Sequence, residues 1–347
     1  MQQLNTLAGY LEAKLPMTGR GILFAIGAAT TAVLCAPVLA QEPPASPPAA
    51  QFKSSVDLVS VAAIVRDRKG RFVSDLVKTD FQVVEAGETR RILDFHARAD
   101  GPVKVAVLFD ISGSMRLGSK VTDAKQVARH VFSALKSGDE AAVFSFDTRL
   151  QRVHPFTSNV AALESAIERV EEPFGQTSLY DAIADTARVA ASEGRGASRV
   201  PQRVAVVVLT DGVDTRSQMT PPQVTAVASE IDVPVYIITV LPPMAEGEDD
   251  ALVTEAVPET ALESLARYTG GQLFNTSAPA HASIAARQIV SELRHQYVLA
   301  FESSTRAGWR PLEVRARGRN LVVRARSGYM AGAGGPASAA TERRQSF

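Results

Sequence analysis

Three short stretches of this chain carry residues whose types and spacing could do chemistry. Asp110-Ile111-Ser112-Gly113-Ser114 sets a carboxylate and two hydroxyls on alternate residues, Gly175-Gln176-Thr177 adds a third hydroxyl, and Thr210-Asp211-Gly212 adds a second carboxylate. Asp110, Ser112, Ser114, Thr177 and Asp211 are all hard oxygen donors, with no nitrogen or sulfur among them. Such a set suits Mg²⁺ or a similar hard cation (Mn²⁺ or Ca²⁺) and disfavours zinc or copper. Two carboxylates at most neutralise a dication and hydroxyls add no charge, so an octahedral ion held this way keeps a place for water or a partner's oxygen. An open, electrophilic metal is a receptor for a carboxylate. Gly113 relaxes the turn, so that the two serine hydroxyls can point the same way. Asp-x-Ser-x-Ser alone reads equally well as helix capping, since Ser and Asp are common N-caps. The other two loops, at matching topological positions, are what turn it into a site.

Those loops need a scaffold that makes them converge. VKVAVLFD, ending at Asp110, and VAVVVLTD, ending at Asp211, are nearly continuous β-branched runs. Strands buried on both faces of a helix-covered parallel sheet have that composition. Helical stripes lie between and around them: Ala124, Val127, Ala128, Val131 and Leu135 over Lys120–Leu135, then further stripes over Asn159–Val170 and Ser178–Ser192. Asp147-Thr148 separates two strand-like runs and predicts an edge hairpin. The alternation predicts a doubly wound α/β domain with a mostly parallel sheet over residues 101–294. Ligands of such sheets bind beyond the carboxyl ends of the strands where the winding reverses, so the three loops meet if the two Asp-terminated strands are neighbours.

The flanks have another period. Residues 54–100 contain VDLVSVAAIV and FQVVEAGETRRILDFH, with a hairpin signal at Glu85-Ala86-Gly87-Glu88; residues 295–330 contain YVLAFESS, RPLEVRAR and NLVVRARSGY. Neither flank has strands enough to stand alone. Together they supply about five or six, which predicts one small β-sandwich built from both flanks with the α/β domain inserted in it. Arg306, Arg310, Arg315, Arg317, Arg319, Arg324 and Arg326 alternate with apolar residues and read as a solvent-facing sheet surface, and Trp309 reads as a turn residue.

DISGSM, GQTSLYDAI and VVVLTDG, in this order and spacing, resemble the metal-ion-dependent adhesion site of von Willebrand factor A domains over about Val103 to Arg294. The flanks resemble a bacterial subgroup of secreted von Willebrand factor A-related proteins common in Acidobacteria: LVKTDFQVVEAGE precedes the domain and RARSGY follows it. The resemblance implies a Rossmann-like sheet, direct metal ligation by Ser112, Ser114 and Thr177, and ligation by Asp110 and Asp211 directly or through water. Gln176 departs from the small residue usual at its place, which touches the loop rather than a ligand.

The composition narrows the function. Lys+Arg and Asp+Glu are 37 each, so bulk electrostatic binding of nucleic acid is excluded. A single cysteine excludes a disulfide scaffold, a Cys-rich zinc site and an iron–sulfur cluster. None of the five histidines lies in the three loops, and no nucleophile–base pair accompanies them. The expectation is a non-enzymatic protein-binding module whose partner offers an Asp or Glu carboxylate. The alternatives are a structural envelope subunit braced by a metal and a metal-dependent hydrolase, the latter needing Asp211 or Asp214 as base. Asp214, Thr215 and Asp181 read as capping residues, Asp181 through a local Ser-x-x-Asp pattern. The acidic run from Glu246 to Glu259 reads as a solvated loop.

Gly21–Ala40 is apolar, follows Lys14 and Arg20, and ends in small residues, which predicts a signal peptide over residues 1–40 and a periplasmic or secreted protein. An uncleaved segment of that length could instead anchor the chain, the one route to a membrane. Residues 41–53 read as a Pro/Ala linker and 331–347 as a disordered tail.

Overall fold

The strand Val103–Asp110 has side chains buried on both sides: Val103, Val105, Val107 and Phe109 enter one apolar cluster, Ala106 and Leu108 another. A strand flanked by two cores must lie inside a helix-covered sheet, and the computed structural model places it there. The structure describes residues 58–97, 101–194, 203–230, 232–240, 260–276, 279–303, 306–318 and 320–331, all within one compact unit of the chain. The expected signal segment, the linker, the acidic run 246–259 and the tail beyond Ala331 lie outside the described residues.

In chain order the strands are β1 (Leu58–Asp67), β2 (Phe81–Glu85), β3 (Glu88–Arg90), β4 (Ile92–Ala97), β5 (Val103–Asp110), β6 (Glu140–Phe146), β7 (Leu150–Thr157), β8 (Arg203–Thr210), β9 (Val235–Val240), β10 (Leu273–Thr276), β11 (Gln296–Glu302), β12 (Gly308–Ala316), β13 (Leu321–Ala325) and β14 (Gly328–Ala331). The α-helices are α1 (Lys120–Ser133), α2 (Val160–Glu168), α3 (Leu179–Gly194), α4 (Pro221–Glu230), α5 (Ala261–Tyr268) and α6 (Pro279–Arg294).

The central sheet has the order β10-β9-β8-β5-β6-β7. All its pairings are parallel except β6 with β7, the expected edge hairpin. Helices α1, α2 and α6 cover one face, α3, α4 and α5 the other. The chain leaves β5 toward β6 on one side and returns to β8 on the other, so the winding reverses between β5 and β8. This is the expected doubly wound sheet.

The flanks form two antiparallel four-stranded sheets, β13-β1-β11-β4 and β14-β12-β2-β3. Val61, Ala63 and Val65 of β1 share one core with Phe81 and Val83 of β2, Tyr297, Leu299 and Phe301 of β11, and Leu312 and Val314 of β12. Each sheet mixes strands from before and after the insertion. The sandwich holds eight strands rather than five or six, because β3 and β14 are too short to announce themselves by periodicity. The β2–β3 turn is where it was expected, with Ala86 at φ 48° and Gly87 at φ 87°, the double left-handed geometry of a tight hairpin.

Two sequence expectations change. Trp309 sits in β12 opposite Met330, not in a turn, and packs over Gly328, where an added Cβ would lie 2.4 Å from its ring. The arginine stripe is not uniformly solvent-facing. Arg324 turns inward and, with Arg66 of β1 at 2.9 Å, pairs with Glu292 of α6, which is fully buried. Arg326 is buried beside Asp232. An inward carboxylate on α6 thus draws arginines from both β1 and β13 across the junction of the two layers.

Candidate metal centre

Parallel pairing of β5 with β8 sets Phe109 opposite Leu209, so the residues that follow emerge side by side. The Thr210 hydroxyl donates to Asp110 Oδ2 at 2.6 Å, and the Ser112 N–H donates to Asp110 Oδ1 at 2.9 Å. Beyond Asp110 the chain turns through one short 3-10 segment, Gly113–Arg116. That turn brings the Ser112 and Ser114 hydroxyl oxygens to 3.1 Å. The two hydroxyls are hydrogen-bonded to each other at that distance, which is also about the 3 Å between adjacent ligands of an octahedral ion with bonds of about 2.1 Å. Gly113 earns its place differently from the sequence reading. Its φ is not left-handed; its N–H donates to the Gly175 carbonyl at 2.9 Å, and an added Cβ would lie 3.1 Å from that oxygen. Close approach of the two loops is what needs glycine.

Thr177 is held through its backbone. Its N–H donates to Thr215 Oγ1 at 2.9 Å, and its carbonyl accepts from Thr215 and Arg216 N–H at 3.0 and 2.8 Å. Asp214 Oδ1 accepts from Leu179 N–H at 2.9 Å and from the Ser217 hydroxyl at 2.6 Å, so it caps α3 from a neighbouring loop. Asp181 is no local cap: its carboxylate accepts from Gln218 and Met219 N–H at 2.9 and 2.8 Å, tying α3 to the segment after β8.

Asp211 is the second carboxylate, its side chain 3% exposed. Oδ1 accepts from Val213 N–H at 3.3 Å, and Oδ2 accepts from the Lys120 ammonium at 2.8 Å. Lys120 also donates to the Ser114 carbonyl at 3.2 Å. Sequence reasoning missed both Lys120 and Thr210. Lys120 lay on the polar side of a stripe judged by its apolar residues, and Thr210 looked like the last residue of a buried strand.

Burial pushes the Asp110 carboxyl up to about 6 from 3.8, and the nearby charge of Asp211 adds to the rise, against the lowering bonds from Ser112 and Thr210. Asp110 has hydrogen bonds but, among the described residues, no basic side chain within ion-pair distance. A buried carboxylate so placed favours a cation. The described residues hold no cluster of three or more His, Cys, Asp or Glu side chains able to take a metal, so an ion here would depend on the hydroxyls. The all-oxygen set of Asp110, Ser112 and Ser114, with Thr177 and Asp211 on the adjoining loops, fits a hard dication.

The same loops expose large apolar side chains. Leu117 is 67% exposed, Phe174 76% and Val213 46%. Each lies within three residues of a site residue, and Phe174 is tied to the first loop by its N–H on the Ile111 carbonyl at 2.8 Å. Folding leaves these three in water.

Residues 105–213, which contain all five site residues, match the family model described as the von Willebrand factor type A domain. No curated protein matches the chain. Among solved structures, the chain is similar to proximal thread matrix protein 1 from the mussel byssus, with 18% identity over 56% of this chain and 48% of that one, TM-score 0.43. It thus spans about half the length of that protein, of which another structure is described as having a zinc-occupied MIDAS motif (16% identity, 56% and 48% covered, TM-score 0.42). It is also similar to the conserved hypothetical protein BatB from Bacteroides thetaiotaomicron (19%, 55% and 98% covered, TM-score 0.44) and to a von Willebrand factor type A protein from Catenulispora acidiphila (14%, 81% and 75% covered, TM-score 0.45).

Proposed function

We propose that this chain, whose central sheet and helices have the von Willebrand factor type A fold, is an exported interaction module that captures a partner protein's Asp or Glu carboxylate through a divalent cation. The supporting observation is Asp110: a buried carboxylate with no basic partner among the described residues, at the strand ends where the winding reverses, beside the paired hydroxyls of Ser112 and Ser114. In this reading Ser112, Ser114 and Thr177 supply neutral donors and Asp110 and Asp211 the charge. Mg²⁺ is the expected ion, with Mn²⁺ or Ca²⁺ as substitutes. The bound ion supplies a Lewis-acidic position for the partner's carboxylate. Leu117, Phe174 and Val213, on the same loops, expose apolar surface, so the carboxylate is expected within an apolar segment of the partner. Export rests on the apolar stretch Gly21–Ala40. No helix among the described residues is long and apolar enough to cross a membrane.

The alternatives have less support. A bracing metal has little left to brace, since Asp214, Thr215, Ser217 and Asp181 already cross-tie the loops. A hydrolase needs Asp211 or Asp214 as base, and both carboxylates are engaged, Asp211 by the Lys120 ammonium and Asp214 by Leu179 N–H and the Ser217 hydroxyl.

The test is calorimetric titration of the full chain and of Asp110→Ala with Mg²⁺ and Mn²⁺, followed by cross-linking to envelope proteins with metal or with chelator. Wild type should bind one ion and Asp110→Ala none, and cross-linking should require the ion. Equal binding by both proteins would refute the site.

A further inference from the structure

We infer that Lys120 sets the ligand preference of this centre: its ammonium neutralises Asp211, weakening the hold on the metal and strengthening the metal's hold on an incoming carboxylate. The inference rests on the proposed reading of the site as a metal-bridged carboxylate receptor, and deepens it.

The geometry carries it. The Lys120 ammonium lies 2.8 Å from Asp211 Oδ2 and 3.2 Å from the Ser114 carbonyl, touching two of the segments that would surround an ion. Its side chain is 12% exposed, so solvent and salt screen the pair far less than a surface pair. Helix α1 gives no reason for a cation here. Lys120 is its first residue, where the partial positive charge of the helix terminus disfavours another positive charge. The helix has its own acid in that turn, Asp123, bonded by the Ser119 hydroxyl at 2.5 Å. The partner of Lys120 is across the site, on the loop after β8.

The charge count gives the consequence. Asp110 and Asp211 carry two negative charges, which would cancel a dication and leave a neutral centre. With Lys120 in place the centre keeps one positive charge when loaded. That excess repels the entering metal and attracts an anionic ligand, and Lys120 competes directly with the metal for Asp211 Oδ2. Arg116 and Arg216, on the same loops, are exposed to solvent and are screened accordingly.

The experiment compares the full chain with Lys120→Met, Lys120→Gln and the charge-retaining Lys120→Arg. Mn²⁺ is titrated alone by calorimetry, and acetate is then titrated into Mn²⁺-loaded protein and followed by the Mn²⁺ paramagnetic resonance signal. Circular dichroism checks the fold of each variant. Both neutral variants should bind Mn²⁺ about tenfold tighter and acetate about tenfold weaker, the order expected for one charge removed from a part-buried site, with Lys120→Arg close to wild type. Unchanged or weaker Mn²⁺ binding by the neutral variants overturns the inference, as does unchanged acetate binding. If Mn²⁺ binds wild type but its affinity ignores Lys120, only the inference fails. If Mn²⁺ binds none of the four proteins, the receptor reading fails and takes the inference with it.

Discussion

Replacing Asp110 by Asn should stabilise the metal-free protein while abolishing its response to metal. Asp110 is nearly fully buried, and its carboxyl is raised from 3.8 to about 6. Between those values the native state binds more protons than the unfolded chain, so stability falls as pH rises through this window and the loss is complete above it. The difference corresponds to about 3 kcal/mol at neutral pH. Asparagine removes that cost and keeps an oxygen for the Ser112 N–H. Its amide, however, would donate to the Thr210 hydroxyl, which already accepts from Gly212 N–H at 3.0 Å and would lose its own acceptor. That loss costs about 1 kcal/mol, leaving a net gain of about 2 kcal/mol. The assay is urea unfolding in chelator, followed by circular dichroism. Near pH 3 wild type and Asp110→Asn should differ little in this contribution, and toward neutral pH the variant should become the more stable. Adding Mg²⁺ at ten times its dissociation constant should then restore about 1.4 kcal/mol to wild type and nothing to the variant. A variant less stable than wild type in chelator at neutral pH would refute the claim that Asp110 is a desolvated charge awaiting a cation.

Three further outcomes follow. Glu292→Ala strips Arg66 and Arg324 of a shared buried carboxylate and should destabilise the protein by about 3 kcal/mol, with Mn²⁺ affinity unchanged by calorimetry. Asp214→Ala removes the acceptor for Leu179 N–H and the Ser217 hydroxyl and should cost about 1 kcal/mol in urea unfolding, while keeping most of the stabilisation by Mg²⁺. Ending the chain at Arg294 removes β11 to β14 and exposes the faces of β1 and β2 that they cover, so that shortened protein should aggregate; a soluble product as stable as the full chain would show that the flanks do not depend on each other.

The central sheet was legible because both cores imprint the same strands: Val105–Phe109 of β5 and Val204–Leu209 of β8 are apolar at consecutive positions, toward both faces. Four of the five candidate donors were legible because they sit at or just after the ends of those strands, where chain order and spatial order coincide; Thr177, between α2 and α3, stood out only by its Gly-Gln-Thr motif. Lys120 was not legible, because its link to Asp211 crosses from the start of α1 to the loop after β8 and leaves no local pattern. The inward turn of Arg324 was hidden for the same reason, since alternation along β13 reports two faces but not that one of them meets Glu292. The flank segments LVKTDFQVVEAGE and RARSGY offered two isolated resemblances. The structure joins them, with the Tyr329 hydroxyl donating to the buried carboxylate of Glu85 across a separation of 244 residues.

The two ends of the central sheet divide the work. At the amino ends of its strands, Val103 N–H bonds Asp139 Oδ1 at 3.0 Å, Asp139 pairs with Arg294 at the end of α6, and Arg203 of β8 reaches the Gln296 carbonyl of β11 at 3.2 Å. The last of these, with the pairing of Glu292 to Arg66 of β1 and Arg324 of β13, ties the sandwich to the central sheet through buried groups whose loss is costly. At the carboxyl ends lie the buried carboxylates Asp110 and Asp211 and the exposed Leu117, Phe174 and Val213, where folding has left apolar surface uncovered. β5 and β8 run between the two and separate a stability determinant from the proposed binding surface by the length of the sheet. Substitutions at the sandwich end should therefore change unfolding midpoints without changing metal affinity. Substitutions of the loop hydroxyls Ser112 and Ser114 should mainly change metal affinity, whereas those at the buried Asp110 or at the cross-ties that hold Thr177 should change both.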